Sequence, residues 1–178
     1  RGTSAVALSH HDQLDRRVLN TVIFTLCRRM SLNINTELGT IVLKLRPDAA
    51  PQTVEYISAL AKQGLYNGKT FYRSDFVIQM GLHPAKCPMP NLSVNETAKH
   101  EFISNGPGTA AVAHWDVPDC GNSEFFINLK ENTHLDSAYG GYCVFAVVAD
   151  DASFTVCNSI AKKVTEAKSV KIISVEVV

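Results

Sequence analysis

No apolar run in this chain approaches the ~20 residues that a membrane-spanning helix needs; the longest near the start, Val22 to Leu26, is far too short. An excess of charge of one sign is also missing. The 17 Lys and Arg residues are balanced by 17 Asp and Glu residues, which argues against a broad nucleic-acid surface, because such a surface takes clustered basic side chains. The five cysteines (Cys27, Cys87, Cys120, Cys143, Cys157) form no C-x-x-C pair, so zinc and thioredoxin-like spacings are absent. They read as buried or free thiols, with one disulfide between loop residues Cys87 and Cys120 as the alternative. There is no G-x-S-x-G nucleophile elbow and no phosphate-binding glycine loop. His10 and His11 are adjacent and share no helix face, so they make no metal site. Trp115, the single tryptophan, lacks the basic patch that nucleic-acid stacking requires.

What remains is one domain of ordinary size. The chain has 178 residues, of which 46% are hydrophobic and 19% charged, enough to bury a core and too apolar for wholesale disorder. Residues 1–30 differ from the rest, with five Arg against two Asp. Leu14, Val18, Val22 and Leu26 recur at one-face helical spacing, although Val22-Ile23-Phe24 also suits a strand. This segment reads as a tail and helix that either packs on the domain's own surface or docks a larger assembly through residues 9–30. The first residue is Arg, which fits a processed chain or a fragment. Asn91-Leu92-Ser93 and Asn95-Glu96-Thr97 are formal glycosylation sequons that favour a secretory lumen, whereas the Arg-rich start favours an organelle such as mitochondrion or chloroplast; the compartment stays open.

From residue 31 to 178 the pattern is mostly β. Leu32 and Ile34 alternate, Glu37-Leu38-Gly39 supplies a turn, and Ile41, Leu43 and Leu45 alternate again. Pro51 suits a first helical turn, Val54, Ile57, Leu60 and Ala61 form an apolar stripe, and Gly64 suits a C-cap, so a helix spans Pro51 to Gln63. Strand-like segments follow at Thr70–Arg73, Phe76–Met80, Thr109–Ala113, Glu124–Asn128 and Val144–Val148, with a long loop from Leu82 to Gly108. A second helix begins near Ser153 and covers Phe154 to Lys162. Val170, Ile172, Val175 and Val177 mark a last strand. Many short strands with two helices favour a closed antiparallel barrel, which removes exposed strand edges.

The run Phe71-Tyr72-Arg73-Ser74-Asp75-Phe76-Val77-Ile78-Gln79-Met80-Gly81 resembles the F-H-R…F-x-x-Q-G-G signature of cyclophilins. Asn105-Gly106-Pro107-Gly108-Thr109, then Ala113, then Ser123-Glu124-Phe125-Phe126-Ile127-Asn128 resemble their G-P-G-T…S-Q-F-F-I block. Leu135-Asp136 and Val144-Phe145 fall where that family has L-D and V-F. The resemblance covers about Ser31 to Val178. It implies an eight-stranded antiparallel barrel capped by two helices, and peptidyl-prolyl cis-trans isomerase activity on proline-containing peptides or proteins, with no cofactor and no metal. It also implies roles. Arg73 would be the catalytic guanidinium, and Gln79 would hold it and bind substrate backbone. Phe76, Phe126 and Leu135 would form the apolar socket for the proline ring, whereas strand residues of these types otherwise belong to barrel core. Val77 and Ala113 would flank the groove, the His114 backbone would grip the substrate chain, and Tyr142 would cap the pocket with its hydroxyl. His134 sits where the family often has Trp or Phe. Trp115 lies in the loop beside the groove, as either a peptide-stacking residue or a loop anchor.

Four departures stand out. Only Ser74 and Asp75 separate Arg73 from Phe76, where the family pattern has four residues. Tyr72 replaces the common His, Met80 the first Gly, and Glu124 the common Gln. A Glu124 near Arg73 would either orient the fork or quench it. The shortened turn, Glu124 and His134 favour a weakly active or inactive binding subunit; Arg73, Gln79 and Phe126 favour an isomerase.

Overall fold

The computed structural model describes residues 30–178. Residues 9–29 of the amphipathic segment, and the docking role expected of it, lie outside the described residues. Eight strands among the described residues are β1 (Ser31–Thr36), β2 (Gly39–Leu45), β3 (Thr70–Ser74), β4 (Val77–Met80), β5 (Thr109–Val112), β6 (Phe125–Asn128), β7 (Val144–Val148) and β8 (Val170–Val177). They close into an antiparallel barrel in the order β1-β2-β7-β5-β6-β4-β3-β8, with β8 returning to β1. Alternation does the sorting. Leu32, Ile34, Ile41, Leu43, Phe71, Ile78, Met80, Phe125, Ile127 and Phe145 are all fully buried in one core cluster, because side chains two residues apart share a face of a strand. Met80, standing where the family pattern has glycine, fills that core.

Helix α1 (Pro51–Lys62) buries Val54, Ile57, Leu60 and Ala61. Its Ala50 cap position offers no side-chain acceptor. The acceptor comes instead from the long loop between β4 and β5. The buried Glu96 carboxylate accepts from Gln52 N at 3.2 Å and from Thr53 N and Oγ1, both at 2.8 Å. A carboxylate there satisfies orphan amides and meets the positive end of the helix dipole. His100 Nε2 lies 3.5 Å from the same carboxylate.

Helix α2 (Asp151–Ala167) is longer than the Phe154–Lys162 expected. Its cap is Asp150, whose side chain accepts from Ser153 N at 2.8 Å. Ser153 is buried, and its hydroxyl accepts from Val42 N of β2 at 3.1 Å, so it pins the helix to the barrel instead of starting it. The helix ends at Lys168, which takes a left-handed φ of 69°. The β3–β4 and β5 boundaries also move by one residue: Phe76 and Ala113 fall just outside the strands.

The disulfide alternative does not hold. Cys87 and Cys120 are both free. Cys87 Sγ lies 3.5 Å from Tyr56 Oη, and the Cys120 thiol donates to Val117 O. Cys143 and Cys157 are buried thiols, each pushed up to about 12 by burial. Among the described residues, no helix is long and apolar enough to cross a membrane.

Removing the Glu96 carboxylate strands the buried amide and hydroxyl of Thr53 and the part-buried amide of Gln52. Glu96→Ala should therefore lose about 2–3 kcal/mol of stability in urea unfolding, and a loss under about 0.5 kcal/mol would contradict the capping role.

Candidate active site

The barrel's register sets up one row of residues on its outer face. Arg73 of β3 pairs with Gln79 of β4, Gln79 with Phe126 of β6, Phe126 with Ala111 of β5, and Ala111 with Val144 of β7. Residues paired directly across strands project to the same side. Their neighbours in sequence, such as Ile78, Phe125, Ile127 and Ala110, go inward. A second apolar cluster therefore forms outside the barrel, made of Val77, Ala111, Phe126, Leu135 and Val144, with Phe76, Ala113 and Tyr142 packed against it.

The guanidinium of Arg73 is held on two sides. Nη1 donates to Gln79 Oε1 at 3.0 Å. Nε and Nη2 both donate to Asp75 Oδ2, at 2.9 and 2.7 Å. The shortened turn does not carry the guanidinium away from the pocket: its Cζ sits over the Phe76 ring, 5.7 Å from the centroid. The turn is closed by its own carboxylate, since Val77 N donates to Asp75 Oδ1 at 3.1 Å and Asp75 N donates to Val77 O at 2.9 Å.

Gln79 is itself anchored. Its Nε2 donates to Tyr72 Oη at 2.8 Å, and the Tyr72 hydroxyl donates to Glu124 Oε2. Glu124 Oε1 accepts from His83 N at 3.0 Å. Burial, then the hydrogen bond to Glu124, holds the Tyr72 phenol well above its ordinary value, so it stays a donor. Glu124 neither pairs with Arg73 nor cancels it; it fixes Gln79 through Tyr72. The carboxylate occupies the space that a side chain on residue 81 would need: a Cβ built on Gly81 collides with Glu124 Cδ and both its carboxylate oxygens. That collision accounts for glycine at the end of the Gln79-Met80-Gly81 run.

A cavity of about 590 Å³ opens over this row. Arg73, Phe76, Val77, Gln79, Ala113, His114, Phe126, Leu135 and Tyr142 all line it. His134, the remaining residue expected there, is exposed and packs edge-on against Phe76 with centroids 5.7 Å apart; it is not among the lining residues. The Tyr142 ring stacks on His114 at 4.3 Å and meets Phe126 edge-on at 5.6 Å. Burial raises the Tyr142 phenol above its usual value, against the pull of the Arg73 charge. Both ring nitrogens of His114 face carbonyl oxygens, Nδ1 that of Trp115 at 2.6 Å and Nε2 that of Gly141 at 3.0 Å.

The motifs did not reveal that Tyr72, His83, Lys86, Cys87, Met89 and Asn91 also line the cavity. The loop that carries most of them is tied to the Trp115 loop by Leu92 N to Gly121 O at 2.7 Å and Asn95 N to Asp119 Oδ1 at 2.7 Å. The Asn95 amide of the second sequon donates to Gly141 O at 2.7 Å, while Asn91 of the first is exposed. Trp115 is 85% exposed at the cavity edge.

Behind the apolar socket runs a polar network that fixes its loops. Asn132 Nδ2 donates to Phe76 O and to Asn128 Oδ1, and Asn105 Nδ2 donates to Tyr142 O and Asp136 Oδ1. Burial alone would raise the Asp136 carboxyl, but hydrogen bonds from Ser104 and Asn105 outweigh it and hold the group below the ordinary carboxylate range. The carbonyls of Phe76 and Tyr142 are thus held by the buried side-chain amides of Asn132 and Asn105, while both residues line the cavity. Among the described residues, no group of three or more His, Cys, Asp or Glu side chains gathers as a metal site.

The comparisons with known proteins identify the family and the fold. Residues 30–177 match the family model of the cyclophilin type peptidyl-prolyl cis-trans isomerase/CLD. The chain is 35% identical over 130 residues to peptidyl-prolyl cis-trans isomerase B of Escherichia coli, covering 67% of this chain and 77% of that protein. It is 30% identical over 148 residues to peptidyl-prolyl cis-trans isomerase-like 1 of Homo sapiens, covering 78% and 88%. The crystal structure of a cyclophilin type isomerase of Cryptosporidium parvum, obtained in the presence of the dipeptide Ala-Pro, superposes with a TM-score of 0.66 at 17% identity over 83% of this chain and 98% of that one. With that family match over residues 30–177 and a closed eight-stranded barrel, this chain belongs to the cyclophilin-type peptidyl-prolyl cis-trans isomerases.

Proposed function

We propose that the cavity takes an X-Pro segment with the proline ring in the socket of Phe126, Leu135 and Phe76, and that Arg73 catalyses rotation about its peptide bond. The barrier to be lowered is ~18–20 kcal/mol and comes from amide resonance. In the planar ground state the proline nitrogen lone pair is delocalised and accepts nothing. In the twisted state it is localised and can accept a hydrogen bond. A guanidinium fixed beside that nitrogen therefore binds the transition state more tightly than the substrate. No proton or bond is exchanged with the protein, so no cofactor enters. Arginine suits the task because it stays charged and presents a rigid fork.

The observation that carries this reading is Arg73 Nη1 on Gln79 Oε1 with the guanidinium over the Phe76 ring. The apolar socket lies alongside, and the substrate chain runs past Ala113 and the His114 backbone. Val77 backs the socket and Tyr142 closes its far side against His114. His134 supports the reading only indirectly, by packing behind Phe76. The binding-subunit alternative is weakened, because neither the short turn nor Glu124 removes the guanidinium from the cavity. The Ala-Pro dipeptide named with the Cryptosporidium parvum relative is the simplest ligand to try on this chain.

Exchange NMR on a short Ala-Pro peptide tests the reading. Wild-type protein should enhance cis/trans exchange, and Arg73→Ala should lower kcat/KM by roughly 10²–10³, the usual cost of a lost transition-state donor. Near wild-type exchange in a folded Arg73→Ala protein would exclude Arg73 as the catalytic group. Binding has its own reporter, because the only tryptophan stands at the cavity edge. Emission from Trp115 should shift when a proline peptide is titrated in, and the shift should persist in Arg73→Ala; unchanged emission under saturating exchange would place the peptide away from Trp115.

A further inference from the structure

We infer that Asp75 is a positioning residue for the isomerisation, clamping the Arg73 guanidinium in place of the longer turn that the family pattern has at this point. The inference rests on the reading of Arg73 given above. A two-residue connection between β3 and β4 leaves Arg73 near the end of its strand, with its side chain exposed to water. A long side chain there has several rotamers of similar energy, and one bond to Gln79 fixes only one end of the fork. Asp75 supplies the second constraint. Its two carboxylate oxygens divide the work: Oδ1 closes the turn by accepting from Val77 N at 3.1 Å, and Oδ2 takes Nε and Nη2 of Arg73 at 2.9 and 2.7 Å.

The donor count shows what this leaves. A guanidinium carries five N–H groups. Asp75 takes two and Gln79 takes one, so two remain, one on Nη1 and one on Nη2, for the proline nitrogen and neighbouring substrate atoms. The clamp uses the Nε side and leaves the tip of the fork free. Exposed ion pairs of this kind add little to stability. Their value here is orientation, since loss of alignment at a reacting centre is costly even when binding persists.

Asp75→Asn separates the clamp from the turn. Asn keeps an Oδ1 acceptor for Val77 N and is as good a turn residue. It turns an NH₂ group toward the guanidinium, so the clamp is lost. The expected result is a thermal midpoint within error of wild type, a kcat lower by about tenfold, and a KM changed less than about twofold. The Arg73 Nε–H NMR resonance, assigned by its loss in Arg73→Ala, should also move and exchange faster with water in Asp75→Asn. Wild-type or higher kcat in Asp75→Asn, alongside an inactive Arg73→Ala, would overturn the inference while leaving Arg73 as the catalytic group. Retained activity in Arg73→Ala would overturn both.

Discussion

Everything at the proposed centre depends on a directed chain of hydrogen bonds that starts at a carboxylate and ends at a guanidinium. Glu124 can only accept, so the Tyr72 hydroxyl must donate to it. That leaves the Tyr72 oxygen to accept, so the Gln79 NH₂ group turns to it and the Gln79 carbonyl oxygen turns to Arg73. Each link settles the orientation of the next. Arg73 can only donate, so it asks the Gln79 amide for the same orientation from the other side, and the two ends of the chain agree. Gly81 belongs to the same device, because only a residue without Cβ leaves room for the Glu124 carboxylate.

The barrel makes this possible by keeping its two faces apart. Inward residues form one large core that closes without help from the site. Outward residues of β3, β4, β6, β5 and β7 form a row whose polar end is Arg73 and Gln79 and whose apolar end is Phe126, Ala111 and Val144. A proline ring and its peptide bond have the same layout, one end apolar and one end polar. The loops then complete the walls, and they are tied down by buried side chains: Asn132 and Asn105 under the socket, Glu96 on α1. The site has little freedom of its own, which suits catalysis by positioned charge in a preorganised setting.

Much of the fold was legible in the sequence, because alternation and turn residues are local signals. The hairpin around Glu37-Leu38-Gly39, the Pro51 helix and all eight strands could be read from them. The end of α2 could not, since Lys168 takes a left-handed conformation with no glycine to announce it. At the site, Arg73, Gln79 and Phe126 were legible through motif spacing. By residue type alone Phe126 could be core or pocket; the motif reads it as pocket-lining, and the register puts it on the outer face beside the cavity. The partner of Glu124 was also hidden, since β6 reaches β3 only across β4. Asp75 looked like an ordinary turn residue, and its second task appears only when the turn folds its carboxylate back on Arg73. His134 lies one residue before Leu135, yet its ring packs on the outer edge of Phe76 and not in the socket.

The central claim is that the guanidinium works because the chain from Glu124 fixes it, and the hydroxyl of Tyr72 is the one link that can be removed with little change of shape. The kcat of Tyr72→Phe in Ala-Pro exchange is therefore the most direct measurement. The account predicts a folded protein with nearly unchanged KM and a kcat lower by about fivefold or more. A folded Tyr72→Phe protein with wild-type kcat would contradict it, and would mean that Arg73 needs no support from beyond Gln79.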